Sequence, residues 1–162
     1  MKKAIIFITL LALLLSSLCS CIETETTQDQ GNGSAASENS SNSNLGDYNV
    51  IIESCRLATD YEDAPIVIVK YKFTNNGDEP ACFAWSLEYD AFQDGVGLNE
   101  CYFADDSANY SSDNQTKEIK KGSSLSVEVA YKLNDTTTDV EIEVSELISF
   151  SNKKITKKFS ID

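Results

Sequence analysis

From Tyr48 onward the chain alternates apolar and polar residues with a period of two. Such a period puts successive side chains on opposite faces of an extended strand. In Ile66–Phe73 one face holds Val67, Val69, Tyr71 and Phe73, while the other begins with Ile66 and Ile68 and turns basic at Lys70 and Lys72. Leu125, Val127, Val129, Tyr131 and Leu133 repeat the pattern, as do Val140, Ile142 and Val144. Phe83, Trp85, Leu87 and Tyr89 alternate with Ala84, Ser86, Glu88 and Asp90, which predicts one strand with Trp85 packed inward. Tyr48–Leu57 supplies a strand before these, Val96–Phe103 another, and Ile155, Phe159 and Ile161 close the chain. Asn75–Pro80 and Asp94-Gly95 are turn signals, and Asp105–Gln115 is a longer polar loop. Beyond the first residues no segment keeps a helical period over three turns, and no connection is long enough for crossover helices. The pattern predicts an all-β domain over residues 47–162, with about seven or eight strands closed into an antiparallel sandwich.

The N-terminal third has a different organisation. Lys2-Lys3, an apolar run from Ala4 to Leu15 and a small-residue exit form the layout of a signal peptide over residues 1–20. The apolar run falls short of the roughly 20 residues that span a bilayer. Leu18-Cys19-Ser20-Cys21 resembles the bacterial lipobox, which implies cleavage before Cys21 and acylation, by palmitate or a similar chain, of that cysteine. Cys19 is the poorer acceptor, because bulky Leu18 would precede it. Residues 21–46 are then rich in Ser, Asn, Thr and Gly and nearly free of large apolar groups, the composition of a disordered linker. As a coil, Ile22–Gly46 would reach about 28 Å. Lipid anchoring on the extracellular face of the cell membrane follows as the expectation.

Charge and composition exclude several classes. The 162 residues carry 13 Lys+Arg against 26 Asp+Glu, and loss of the leader removes two of the lysines. So acidic a chain is no nucleic-acid binder, which needs a basic face to displace phosphate counterions. Histidine is absent, which removes Ser-His-Asp and Cys-His chemistry and every His-containing zinc site.

YKFTNNGDEPACFAWSLEYDAFQDGVGL, followed by KKGSSLSVEVAYKLND and VEIEV, resembles a family of domains of unknown function on Gram-positive lipoproteins. Phe73-Thr74-Asn75, Trp85, Gln93-Asp94-Gly95, Gly122 and Tyr131–Asp135 carry the resemblance, which spans most of Ile66–Val144. It implies a telokin-like, immunoglobulin-like β-sandwich and no particular activity. Val67–Phe73 has no cysteine, so the inter-sheet disulfide of antibody-type domains is missing.

The remaining chemistry is sparse. Cys82 and Cys101 bracket a hairpin and could form a disulfide, although a register centred on Asp94-Gly95 sets Cys101 nearer Glu88; Cys55 reads as a small buried thiol. Asp105, Asp106, Asp113 and Asn114 share one loop and offer hard oxygen ligands for calcium, without EF-hand spacing. The pairs Glu88/Asp90, Asp105/Asp106 and Glu141/Glu143 have the residue type a glycosidase-like hydrolase uses, but acids on outward strand positions are ordinarily solvated charge. Ser151–Lys154 is a Ser-x-x-Lys string without the helix that such a motif needs. Lys153, Lys154, Lys157 and Lys158 could touch an anionic envelope, or could blunt an edge strand against pairing. The sequence therefore points to a lipid-anchored, non-catalytic binding or accessory module that meets a protein or cell-wall ligand. A structural spacer, a calcium-binding envelope domain and a carboxylate hydrolase are the alternatives.

Overall fold

The computed structural model describes residues 43–102, 104 and 106–161, with the backbone alone at Asp106. The leader, Cys21, most of the linker and Asp105 lie outside the described residues. Eight strands form two antiparallel four-stranded sheets. The first sheet has the order β1 (Asn44–Leu45), β2 (Tyr48–Thr59), β3 (Pro65–Asn75), β6 (Ser124–Lys132). The second runs β5 (Val96–Gly97), β4 (Leu87–Gln93), β7 (Val140–Glu146), β8 (Lys154–Phe159). This is the immunoglobulin-like arrangement: β3 and β6 sit where strands B and E pair, and β4, β7 and β8 where C, F and G do.

The alternation seen in the sequence decides which faces meet. Val67, Val69, Tyr71 and Phe73 point inward with Val127, Val129 and Tyr131, against Leu87, Ala91, Val140, Ile142 and Val144 of the other sheet. The Tyr71 and Tyr131 hydroxyls bond each other at 3.2 Å, and the Tyr131 hydroxyl donates to the Tyr89 carbonyl. Two buried hydroxyls are thus satisfied inside an apolar core. On β2 the register slips between Ile52 and Ser54, a bulge that lets Val50 and Ile52 share a face with Cys55 and Leu57 despite their odd separation. The sandwich begins within the stretch expected to be linker, because Leu45 is buried in the core.

Two expected strands differ. Phe83–Ser86 is a single helical turn, α1, and only from Leu87 does strand β4 begin. Phe83 enters the core among Tyr71, Phe73 and Tyr89, whereas Trp85 is 72% exposed. The inward packing expected of Trp85 is therefore corrected. A helical turn rotates about 100° per residue, so two positions on one strand face part company. The strand expected over Val96–Phe103 likewise stays with β4 only through Val96–Gly97 and the Leu98 N–H, which donates to the Ala91 carbonyl. The chain then crosses to the first sheet, where the Cys101 N–H donates to Ala130 and the Lys132 N–H to Asn99. Ile66, Ile68, Ala130 and Cys101 are buried together there, with Ala104, Ala108 and Tyr110 packed on them. That covering loop explains why the start of β3 is apolar on both faces.

Candidate functional site

Register defines two ends of the sandwich: Leu87 pairs with Glu146 at one, Phe92 with Glu141 at the other. The Glu141 end holds the Asp94-Gly95 turn, where both residues have positive φ (49° and 76°), the type I′ geometry that suits a two-residue hairpin. Next to it lies an open concavity of about 750 Å³, lined by Phe92, Asp94, Thr138, Asp139, Glu141 and Glu143 among others. Two of its acids are held in ion pairs. Lys154 meets Glu143 at 2.6 Å and Lys158 meets Asp139 at 3.3 Å. Asp90, opposite Glu143 across β4 and β7, has its carboxyl pushed up by burial and then by the Glu88 carboxylate, with Lys154 opposing. The adjoining 134–139 loop is clamped by buried Gln93, whose Nε2 donates to the Thr138 and Asp135 carbonyls while its Oε1 accepts from the Asn134 N–H. Asp135 organises the tip of that loop: the N–H groups of Thr137 and Thr138 lower its carboxyl to about 2. These carboxylates support loops and ion pairs, and what they offer a ligand is a negatively charged, solvated face.

The other sequence candidates fall in separate places. Cys82 and Cys101 are not joined by a disulfide. Cys82 opens the helical turn that sends Phe83 into the core, while Cys101, the other member of the possible pair, lies in the cluster on the outer face of the first sheet. Burial raises the Cys55 thiol, with Lys157 opposing, which keeps it protonated and unreactive at neutral pH. In the polar loop, Asp113 donates its N–H to Ser111, and Asn114 gives its amide to the Ser126 carbonyl while its oxygen accepts from Lys117. Asp106 belongs to a short 3-10 turn over residues Asp106–Ala108. Among the described residues no group of three or more His, Cys, Asp or Glu side chains could hold a metal ion.

Lys154, Lys157 and Lys158 of the lysine cluster lie on β8, the outer strand of the second sheet, as edge-blunting charges would, and Lys153 directly precedes it. Besides the Lys154 and Lys158 ion pairs, the Lys157 ammonium donates to the Ile52 and Glu53 carbonyls at 2.9 Å each. It therefore ties the β2 bulge of one sheet to the edge of the other. Asp60 is another carboxylate that the sequence did not single out. It is fully shielded from solvent, accepts from the Glu62 and Ala64 N–H groups, and meets Lys132 at 3.2 Å. Chiefly the Glu62 N–H, then that of Ala64 and the Lys132 ammonium, hold its carboxyl below the ordinary range against the opposing effect of burial.

The Glu146 end is chemically opposite. Trp85 on α1 is 72% exposed, and in the β7–β8 loop Leu147, Ile148 and Phe150 are 52%, 86% and 109% exposed. The two segments adjoin, since the Leu147 N–H donates to the Ser86 carbonyl at 3.1 Å. The sequence signal for this cluster is Leu147-Ile148-Ser149-Phe150, an apolar run in a connection that no strand partner covers.

A family model for a domain of unknown function, DUF5067, matches residues 23–146. Among curated proteins none matches the chain. A solved structure from Staphylococcus aureus subsp. aureus NCTC 8325, provisionally named a lipoprotein, superposes with a TM-score of 0.55. Its sequence identity is 14%, and the match covers 71% of this chain and 84% of that one, so the likeness is one of fold.

Proposed function

The chain belongs to the DUF5067 family of domains of unknown function, and from that premise we propose that it is a lipid-anchored, non-catalytic binding or accessory module on the outer face of the cell membrane. The observation that carries this reading is the order of parts: a leader ending in Leu18-Cys19-Ser20-Cys21, a polar stretch, then a sandwich with its own core. Acylation at Cys21 would hold the domain at the membrane, while the polar stretch would let it reach outward. The provisional naming of the S. aureus neighbour as a lipoprotein agrees with this. Among the described residues no helix is long and apolar enough to cross a membrane. The described thiols and acids also favour a contact surface over a reaction centre: the Cys55 thiol is held protonated, and Glu143, Asp139 and Asp60 are engaged by lysines.

Two measurements test the reading. Metabolic labelling with palmitate should mark the full chain and vanish in Cys21→Ala; unchanged labelling would refute the anchor. The chain should also pellet saturably with purified cell-wall material or crosslink to a single protein on intact cells. So acidic a domain should not be drawn to an acidic wall by charge, so pelleting that survives high salt reports specific recognition. Neither pelleting nor a crosslinked partner would leave a spacer and refute the binding role.

A further inference from the structure

We infer that the end of the sandwich bearing Trp85, Leu147, Ile148 and Phe150 docks on the lipid bilayer, with these side chains entering the headgroup boundary. Single exposed apolar residues are normal on a protein surface, but a contiguous group of large ones marks a contact site. Here one Trp, one Phe and two aliphatic side chains come from two segments joined by the Leu147–Ser86 hydrogen bond. Tryptophan, with an apolar ring and one N–H donor, suits the membrane–water boundary. The loop from Leu147 to Lys153 contains no carboxylate and ends in Lys153, a side chain that can extend toward headgroups.

The position of the chain's entry selects the bilayer as occupant. The β1–β2 turn lies at this same end: Gly46 has φ +52°, and a Cβ added there would overlap the Glu146 carboxylate. Ser43, the first described residue, accepts from the Val50 N–H at 2.7 Å, so the chain joins the sandwich close to the apolar end. Cys21 lies 22 residues upstream of it, at most ~75 Å of chain even when fully extended. A lipid on Cys21 would therefore keep the apolar end within reach of the membrane, and docking would turn the acidic concavity at the opposite end outward. The orientation rests on the lipid-anchored reading; the affinity of the apolar end for lipid does not. Glu146 directly precedes Leu147, and the chain as a whole is strongly acidic. Attraction to anionic lipid by charge is thus weak, and the binding is driven by apolar burial. It should persist at high salt, where a charge-driven contact would be lost.

The chain's single tryptophan is part of the cluster and reports on it directly. The core residues all lie between Leu45 and Ile161, so residues 39–162 contain the whole sandwich and serve as the soluble probe. With phosphatidylcholine vesicles, alone or containing phosphatidylglycerol, Trp85 emission should shift to the blue and saturate, at low and high salt alike. Ile148→Asp and Phe150→Ser should each weaken binding by about tenfold or more. Their melting temperatures should not change, because both side chains are solvent-facing. Absence of both a shift and vesicle co-sedimentation overturns the proposal. So does binding that Ile148→Asp leaves intact. A concentration-dependent dimer dispersed by Ile148→Asp, without vesicle binding, would assign the cluster to a second copy and overturn lipid docking. Palmitate labelling separates the two readings: labelled chain without vesicle binding overturns docking alone, whereas vesicle binding without labelling overturns only the anchor.

Discussion

Gln93→Glu changes one atom in a side chain that is 2% exposed, and its consequence can be worked from the distances. The amide nitrogen donates to the carbonyls of Thr138 at 2.8 Å and Asp135 at 3.0 Å, while the amide oxygen accepts from Asn134 at 2.8 Å. The glutamate keeps the shape and the acceptor but turns a second oxygen toward two carbonyl oxygens. Each lost bond is worth about 1 kcal/mol net, and a polar group left buried without a partner costs ~1–3 kcal/mol. A loss of roughly 3 kcal/mol at neutral pH follows, or a fall in Tm of ~12 °C for a domain of this size. The effect has a sign in pH. Burial against carbonyls raises the carboxyl of the folded variant above its unfolded value near 4.3, because the protonated form can still donate one bond. The folded state then binds more protons than the unfolded state, so stability relative to wild type falls as pH rises above about 4. Urea unfolding of both proteins at pH 5 and pH 8, followed by circular dichroism, measures the difference. A variant as stable as wild type at pH 8, or a difference that ignores pH, would show that solvent and not Gln93 satisfies the 134–139 loop.

Phe83→Ala removes a fully buried ring packed against Tyr71, Phe73 and Tyr89, and should cost about 3–5 kcal/mol in urea unfolding. Lys157→Met keeps the stem but leaves the Ile52 and Glu53 carbonyls without their donor; a loss of about 1–2 kcal/mol, with faster hydrogen exchange near the β2 bulge, is expected. Asp60 and Asp135 both have carboxyls lowered in the fold, so their contribution is complete above the unfolded value near 3.9 and is lost as pH falls through the folded value, about 2 for Asp135. Thermal melts between pH 5 and pH 2 should therefore show a flatter acid limb in Asp60→Asn and in Asp135→Asn than in wild type.

The alternation of Val67 to Phe73, Val127 to Tyr131 and Val140 to Val144 was legible because each strand has one face in the core, so burial leaves a mark every second residue. The same rule misplaced Trp85. Four residues are too few to separate a helical turn from a strand by period, and the helical turn is settled by Phe83 packing among three aromatic rings. The course of Val96–Phe103 was hidden for a related reason. Only the tertiary fold shows that beyond Leu98 the chain finds partners on β6 and not on β4.

By itself the sequence determined the class of fold and the acidic character, since both follow from composition and local periodicity. Which side chains come together was decided by tertiary structure. Gln93 clamps a loop some 40 residues away, Lys157 bridges the two sheets across more than 100, and Trp85 joins Leu147, Ile148 and Phe150 at one end. Contacts so distant along the chain depend on strand order and register, and those arise only when two complete faces close on a common core.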